Sequence, residues 1–293
     1  MSRTATRVGA SVVALGLVAL ALPANAASSY APGDLVTVDG AGVTAPAPGK
    51  TVALSIDRVG APSTTLVVST ATDGTVTVSD GTDGTAAAAP DGGPDKCDDN
   101  DYTLLDGSSW PGTYEWHFKK SSTPNELTKK KAKKAMKRSV GNITDASNDC
   151  GEADQVSATH SYEGSTSSSS DVNGSNLTCD ATPNGLNVTE FGDITGTGVL
   201  AATCTYSGFG GDITAASVLV NTDFEWWISG SCSFGAYGLK AVQTHEYGHA
   251  FGVGHVDETN HGNLTMSTNI NDDCSNFEAS LGLGDILALE DLY

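Results

Sequence analysis

Residues 245–255 hold His245, Glu246, His249, Gly252 and His255 at fixed offsets, in the order H-E-x-x-H-x-x-G-x-x-H. Residues four apart lie on one face of a helix, so His245 and His249 can aim two imidazoles at one cation with Glu246 beside them. Glycine enters the left-handed backbone region without steric cost, which makes Gly252 a suitable helix stop. A chain that turns back at Gly252 can present His255 as a third ligand. Three imidazoles around Zn²⁺ leave one position for water, the arrangement of a catalytic rather than a structural zinc site. A histidine-rich amphipathic helix with satisfied core histidines would not require this spacing, nor the helix stop.

The helix carrying these ligands is predicted over Gly238–Gly252, preceded by a strand at Ser217–Thr222. Phe224, Trp226 and Trp227 follow that strand and can either line a substrate wall or simply pack. Upstream, Thr113–Phe118 alternates like a strand. Leu127, Ala132, Ala135, Met136 and Val140 are spaced for one apolar stripe of a helix from about Glu126 to Val140. Short β-like runs at Ala153–Ser161, Asn187–Phe191 and Gly198–Tyr206 alternate with Ser/Gly/Asn loops, among them a flexible tract at Ser165–Ser170. Between residues 27 and about 95, Val52, Leu54 and Ile56 alternate with Ala53 and Ser55. Leu66–Val68 and Thr75–Val78 then follow, the latter after an Asp73-Gly74 turn signal. This is the pattern of a small β-rich segment, and Asp80–Asp95 reads as its linker.

The eleven-residue stretch, with Met266 downstream in Asn263–Thr268, resembles the metzincin signature and its methionine-containing turn. The ending Leu281–Tyr293 resembles the last helix of matrixin catalytic domains, and the strand at 113–118 followed by a long helix resembles their opening. Secreted bacterial matrixin-like proteins are the nearest match, although Val256 stands where animal matrixins usually have serine. The resemblance implies an α+β zincin fold over 96–293, with a twisted mixed sheet, long helices and a methionine turn, preceded by the β-rich segment of 27–95. It also implies peptide-bond hydrolysis and one catalytic zinc, with calcium as a possible further ion. It places Ser217–Thr222 beside bound substrate. Residues 27–95 would then be an inhibitory prosegment or a binding module. Matrixin prosegments silence zinc with a cysteine. The surroundings of Cys97 do not match that switch, so a disulfide at the start of the domain is the better reading.

Arg3, Arg7, the apolar run Val8–Leu22 and Ala24-Asn25-Ala26 form the pattern of a secretory signal cut after Ala26. Export suits the cysteines, Cys97, Cys150, Cys179, Cys204, Cys232 and Cys274, which are even in number and form no C-x-x-C pair. Six cysteines permit fifteen pairings. The expected one is sequential: Cys97–Cys150, Cys179–Cys204, Cys232–Cys274.

The formal charge is −20, which disfavours nucleic acid and anionic membrane surfaces. Seven of the fifteen basic residues, Lys129 to Arg138, fall on the first predicted helix and read as its solvated face. His160 reads as a strand histidine, and the motif leaves His261 without a role. The expectation is therefore a secreted, extracellular, monomeric zinc endopeptidase. Its partner is a protein or peptide substrate, its general base Glu246, and it has no stable membrane association once the signal is removed. The alternative is a secreted binding or adhesion protein that uses the β-rich segment on a zinc scaffold. Zinc hydrolysis of a non-peptide amide is a third, less supported option.

Overall fold

The computed structural model describes residues 30–59, 63–81, 93–196, 198–233, 235–268, 274 and 279–293. The expected signal segment and most of the expected linker lie outside these residues. The chain is mixed α+β, built on an eight-stranded sheet that carries helices on one face and a small sheet on the other.

Residues expected to form short strands do so first. β1 (Leu35–Val38) and β2 (Ala41–Thr44) make a hairpin, followed by β3 (Lys50–Arg58), β4 (Thr64–Thr70) and β5 (Val76–Gly81). β6 (Tyr114–Phe118) leads into α1 (Lys129–Thr144), then β7 (His160–Ser165), β8 (Val172–Asn173) and β9 (Thr178–Cys179). β10 (Asn187–Gly192), β11 (Val199–Gly208) and β12 (Ile213–Asn221) complete the large sheet. A two-stranded pair, β13 (Glu225–Trp227) and β14 (Ala236–Gly238), precedes α2 (Leu239–Ala250); α3 (Glu258–His261) and α4 (Leu283–Leu292) follow.

The large sheet runs β5-β4-β3-β11-β12-β10-β6-β7. Its second half is parallel from β12 to β7, while β11, β3, β4 and β5 are joined antiparallel. The β-rich N-terminal segment is thus not a separate module. Three of its strands continue the sheet of the later chain, and β2 pairs with β9 in the small sheet β1-β2-β9-β8.

Strand alternation explains the two cores. Val52, Leu54 and Ile56 of β3 face the small sheet together with Ala202, Cys204 and Tyr206 of β11. The opposite face of the sheet packs α1 and α2 through Trp116, Phe118, Met136, Val218 and Tyr247. Burial of large side chains on both faces is the main stabilising term, worth about 1.5–3 kcal/mol for each one fully removed from water.

Several boundaries differ from those read in sequence. α1 begins at Lys129 because the Thr128 hydroxyl accepts the Lys131 N–H at 3.3 Å, and it runs on to Thr144 because Ile143 prolongs the apolar stripe. Residues 153–159 form no strand; β7 starts at His160, where pairing with Tyr114 of β6 becomes available. The tract expected to be flexible is held at both ends. Ser165 lies in β7, and the buried Ser170 donates its N–H and its hydroxyl to Glu190 Oε1 at 2.7 and 3.0 Å. Phe224 and Trp226 pack. Trp226 is buried and its indole N–H bonds Asn221 O at 2.8 Å, while Phe224 stacks edge-on against Tyr237. The basic residues of α1 form its outer side, with Lys133 and Lys137 over the Tyr162 ring.

All three disulfides join in sequential order: Cys97–Cys150, Cys179–Cys204 and Cys232–Cys274. No helix among the described residues is long and apolar enough to cross a membrane. Three disulfides fit an extracellular protein.

Candidate metal centre

α2 is buried along almost its whole length, so its ligands face the protein interior rather than a surface. His245 and His249 lie one turn apart on it, as the four-residue spacing requires. The helix ends where Gly252 adopts φ +93°, and Leu105 N–H bonds Gly252 O at 2.9 Å. Segment 103–105 then straps the outgoing chain: Gly254 N–H donates to Thr103 O at 2.9 Å, and the Thr103 hydroxyl donates to His255 O. That strap turns His255 back toward the helix. A Cβ on residue 252 would lie 2.5 Å from Ser108 O. Gly252→Ala is therefore expected to lower stability by about 1–3 kcal/mol through the left-handed backbone alone, and by more through the clash. Denaturant unfolding measures it, and an unchanged midpoint would contradict the role given to this glycine.

The three Nε2 atoms converge. His245 and His249 are 3.0 Å apart, His249 and His255 3.0 Å, and His255 and His245 3.1 Å. Each Nδ1 is occupied on the far side of its ring. His245 donates to Thr265 O at 2.7 Å and His249 to Val253 O at 2.9 Å, while His255 lies 2.8 Å from the Thr65 hydroxyl. Protons held at Nδ1 leave lone pairs on Nε2. Lone pairs aimed at one another in a buried space call for a cation between them. Ligands 2.0–2.1 Å from a tetrahedral ion would stand about 3.3 Å apart, close to what is found. The site therefore fits a metal ion.

A fourth residue completes the group, one that sequence reasoning missed. Asp57, at the end of β3, is fully buried, and its Oδ1 lies 2.9 Å from His245 Nε2 and 2.8 Å from His255 Nε2. One ligand atom from each of Asp57, His245, His249 and His255 can be chosen so that all lie within 4.8 Å of one another. Alternation along β3 was the available signal. Asp57 shares a face with Ala53 and Ser55, opposite the apolar Val52, Leu54 and Ile56. That signal shows which side Asp57 takes, but not that the side faces α2. Leu200 has no partner in the β3–β11 ladder, where the register slips between Arg58↔Val199 and Asp57↔Ala201. Irregularities of this kind re-aim the neighbouring side chain.

Electrostatics follow from burial. Desolvation works to raise the Asp57 pKa, but the His245 and His255 imidazoles overcome it and hold the carboxyl well below the usual range. Burial, and then the neighbouring imidazoles, push His249 well below an ordinary histidine, which keeps it neutral and able to ligate. Burial, followed by the adjacent Asp57 carboxylate, pushes Glu246 well above the usual carboxylate range. Glu246 lies outside the group of ligand atoms but beside the Asp57 carboxylate, and from β11 the Thr203 hydroxyl donates to its Oε2.

Met266 lies beneath the ligands. Its side chain packs where a Cβ on Gly248 would sit, 2.9 Å from the methionine Cε, so only glycine at 248 admits this approach. Met266 O accepts Val256 N–H at 2.9 Å, tying the methionine turn to the residue after His255. The turn is anchored by Asp285 of α4, whose buried carboxylate accepts the N–H groups of Thr265, Met266 and Gly282 at 2.8, 3.1 and 2.8 Å. His160 stays away from the centre and accepts the Trp116 indole N–H at 3.3 Å. His261 bridges Asp99 at 3.0 Å and Asp101 at 2.8 Å, fastening α3 to the segment after Cys97. The strand Ser217–Thr222, expected beside substrate, lies inside the sheet: β12 is paired on both sides, by β11 and β10.

No family model matches the chain, and no curated protein matches it significantly.

Proposed function

We propose that the chain is a secreted zinc endopeptidase of the metzincin type, with a zincin fold around the centre described above. The observation that carries this reading is the convergence of three Nδ1-anchored imidazoles beside a buried carboxylate that is not itself aimed at the metal. Three histidines and an optional carboxylate suit zinc better than the oxygen-rich shells of calcium or magnesium. Bound zinc would supply a water acidified into the neutral range and an electrophile for a peptide carbonyl. Glu246 is adjacent to the ligand His245 and turned a third of a helical turn from it, so it would stand over the water rather than on the metal. Its carboxylate would take the water proton and return it to the leaving amine. The Thr203 hydroxyl holds that carboxylate in place. Met266 and Asp285 position His245 through Thr265 O.

The binding-protein alternative draws less support from the fold. β3 and β4 are buried nearly throughout, leaving little of the β-rich segment to present to a partner.

Casein hydrolysis tests the proposal, assayed before and after proteolytic processing between Gly81 and Gly93, with 1,10-phenanthroline and with zinc added back. Hydrolysis lost on chelation and restored by zinc is expected in the processed protein. One bound zinc without hydrolysis of casein or gelatin in any processed state would refute it.

A further inference from the structure

The cations of this acidic chain are concentrated on one helix. α1 holds seven of them between Lys129 and Arg138 and carries no acidic residue along its length. The arrangement works against the helix itself. Lys129–Lys133, Lys133–Lys137, Lys130–Lys134 and Lys134–Arg138 are like charges four residues apart, and the first turn sets lysines at the positive end of the helix dipole. Mixed charges would keep such a face solvated without that loss.

The basic row leads into an open groove of about 560 Å³ between α1, the start of α2 and β7. Lys137, Arg138 and Lys240 enter it from two helices, and none of the three makes an ion pair among the described residues. Burial, and then Arg138, disfavour the Lys240 ammonium, and no carboxylate offsets them. His160 adds a directed donor. Its Nδ1 accepts the Trp116 indole N–H at 3.3 Å and burial favours the neutral ring, so the ring proton sits on Nε2. That nitrogen faces Gly141 on the groove floor. A Cβ on Gly141 would stand 3.9 Å from His160 Nε2 and 3.6 Å from Asp145 Oδ2, both ordinary contacts. Packing therefore does not require glycine here, although glycine stabilises a helix interior less than any residue except proline. Its effect is to leave the floor clear between an N–H donor and a carboxylate.

We propose that this groove, continued by the basic row of α1, binds an acidic polysaccharide. Acid groups of the polymer lie against Lys137, Arg138 and Lys240, His160 Nε2–H donates to a sugar or acid oxygen, and a sugar hydroxyl donates to Asp145 Oδ2. Asp145 selects among polyanions. Polyphosphate brings it no donor and is repelled by it, and the acidic remainder of the chain repels a nucleic-acid duplex. The row from Lys129 to Arg138 is about 14 Å long, enough to meet successive acid groups of one polymer. This binding does not depend on hydrolysis at the metal centre.

The test titrates the full chain with an oligogalacturonate by calorimetry, beside polyphosphate, duplex DNA and neutral dextran. Oligogalacturonate should bind, and more weakly as salt rises. Arg138→Gln combined with Lys240→Gln should weaken it at least about tenfold. Gly141→Leu changes no charge and suits a helix better, yet should weaken binding by a similar factor because it fills the floor. Asp145→Ala should weaken oligogalacturonate and strengthen polyphosphate, removing an acceptor from the one and a repulsion from the other. Circular dichroism should match the parent in each variant. No binding of oligogalacturonate, or dextran bound as tightly, would overturn the proposal. Binding unmoved by Gly141→Leu or by the paired glutamines would show that the groove is not the site. Polyphosphate or DNA bound more tightly than oligogalacturonate would refute the polysaccharide as its ligand.

Discussion

Glu246→Gln is expected to bind one equivalent of zinc as tightly as the parent and to hydrolyse casein on the order of 10²–10⁴-fold more slowly in the processed protein. Glutamine keeps the length and shape of the side chain and can still accept from the Thr203 hydroxyl, so the fold around α2 should not change. It cannot take a proton from water. The loss should appear in kcat with KM little altered, because a group that acts only on the developing charge does not hold the ground-state peptide. In the intact chain the same substitution removes one of two neighbouring buried carboxylates, Glu246 and Asp57; burial first, and then the Asp57 charge, raise the pKa of Glu246. Its thermal midpoint should therefore be no lower than that of the parent. Activity within tenfold of the parent would exclude Glu246 as the base. A protein that lost zinc would instead place Glu246 among the groups that hold the metal.

Asp285→Ala is expected to cost about 3–6 kcal/mol, taking 1–2 kcal/mol for each buried N–H left without its acceptor. Three such groups depend on this one carboxylate: Thr265, Met266 and Gly282. Burial pushes the carboxyl upward in pKa while these three donors pull it down, so the side chain is suited to its place only with all of them present. Thr265 O in turn accepts from His245 Nδ1, and a displaced turn should also weaken zinc by roughly 10–100-fold, as outer partners of metal ligands commonly do. Urea unfolding and competition with a chromogenic chelator measure the two effects. Where the alanine variant does not fold, Asp285→Asn keeps the volume and part of the acceptor capacity, and should show a smaller loss in both. Normal stability and zinc affinity in Asp285→Ala would mean that the methionine turn is held by other contacts.

What the amino-acid sequence determined by itself was everything that depends on local spacing. His245 and His249 share a helix face because 3.6 residues make a turn. Gly252 stops the helix because only glycine takes φ +93° freely, and Val52, Leu54 and Ile56 share a strand face because side chains alternate. Even the disulfides join in the sequential order expected of them. Tertiary structure decided which distant pieces meet. Asp57 and His255 are 198 positions apart, and no periodicity within β3 reports that its polar face lies against α2. Ser217–Thr222 has the composition of any buried strand, and only the strand order makes it interior and leaves β11 as the edge that β3 covers. Asp285 looks from sequence like an ordinary acidic residue in the first turn of a helix. Its second task, accepting two N–H groups of the methionine turn, exists only because α4 packs beneath that turn. Local geometry is written in neighbouring residues and can be read there. Long-range pairing is set by which apolar faces are buried together, and that is a property of the whole chain.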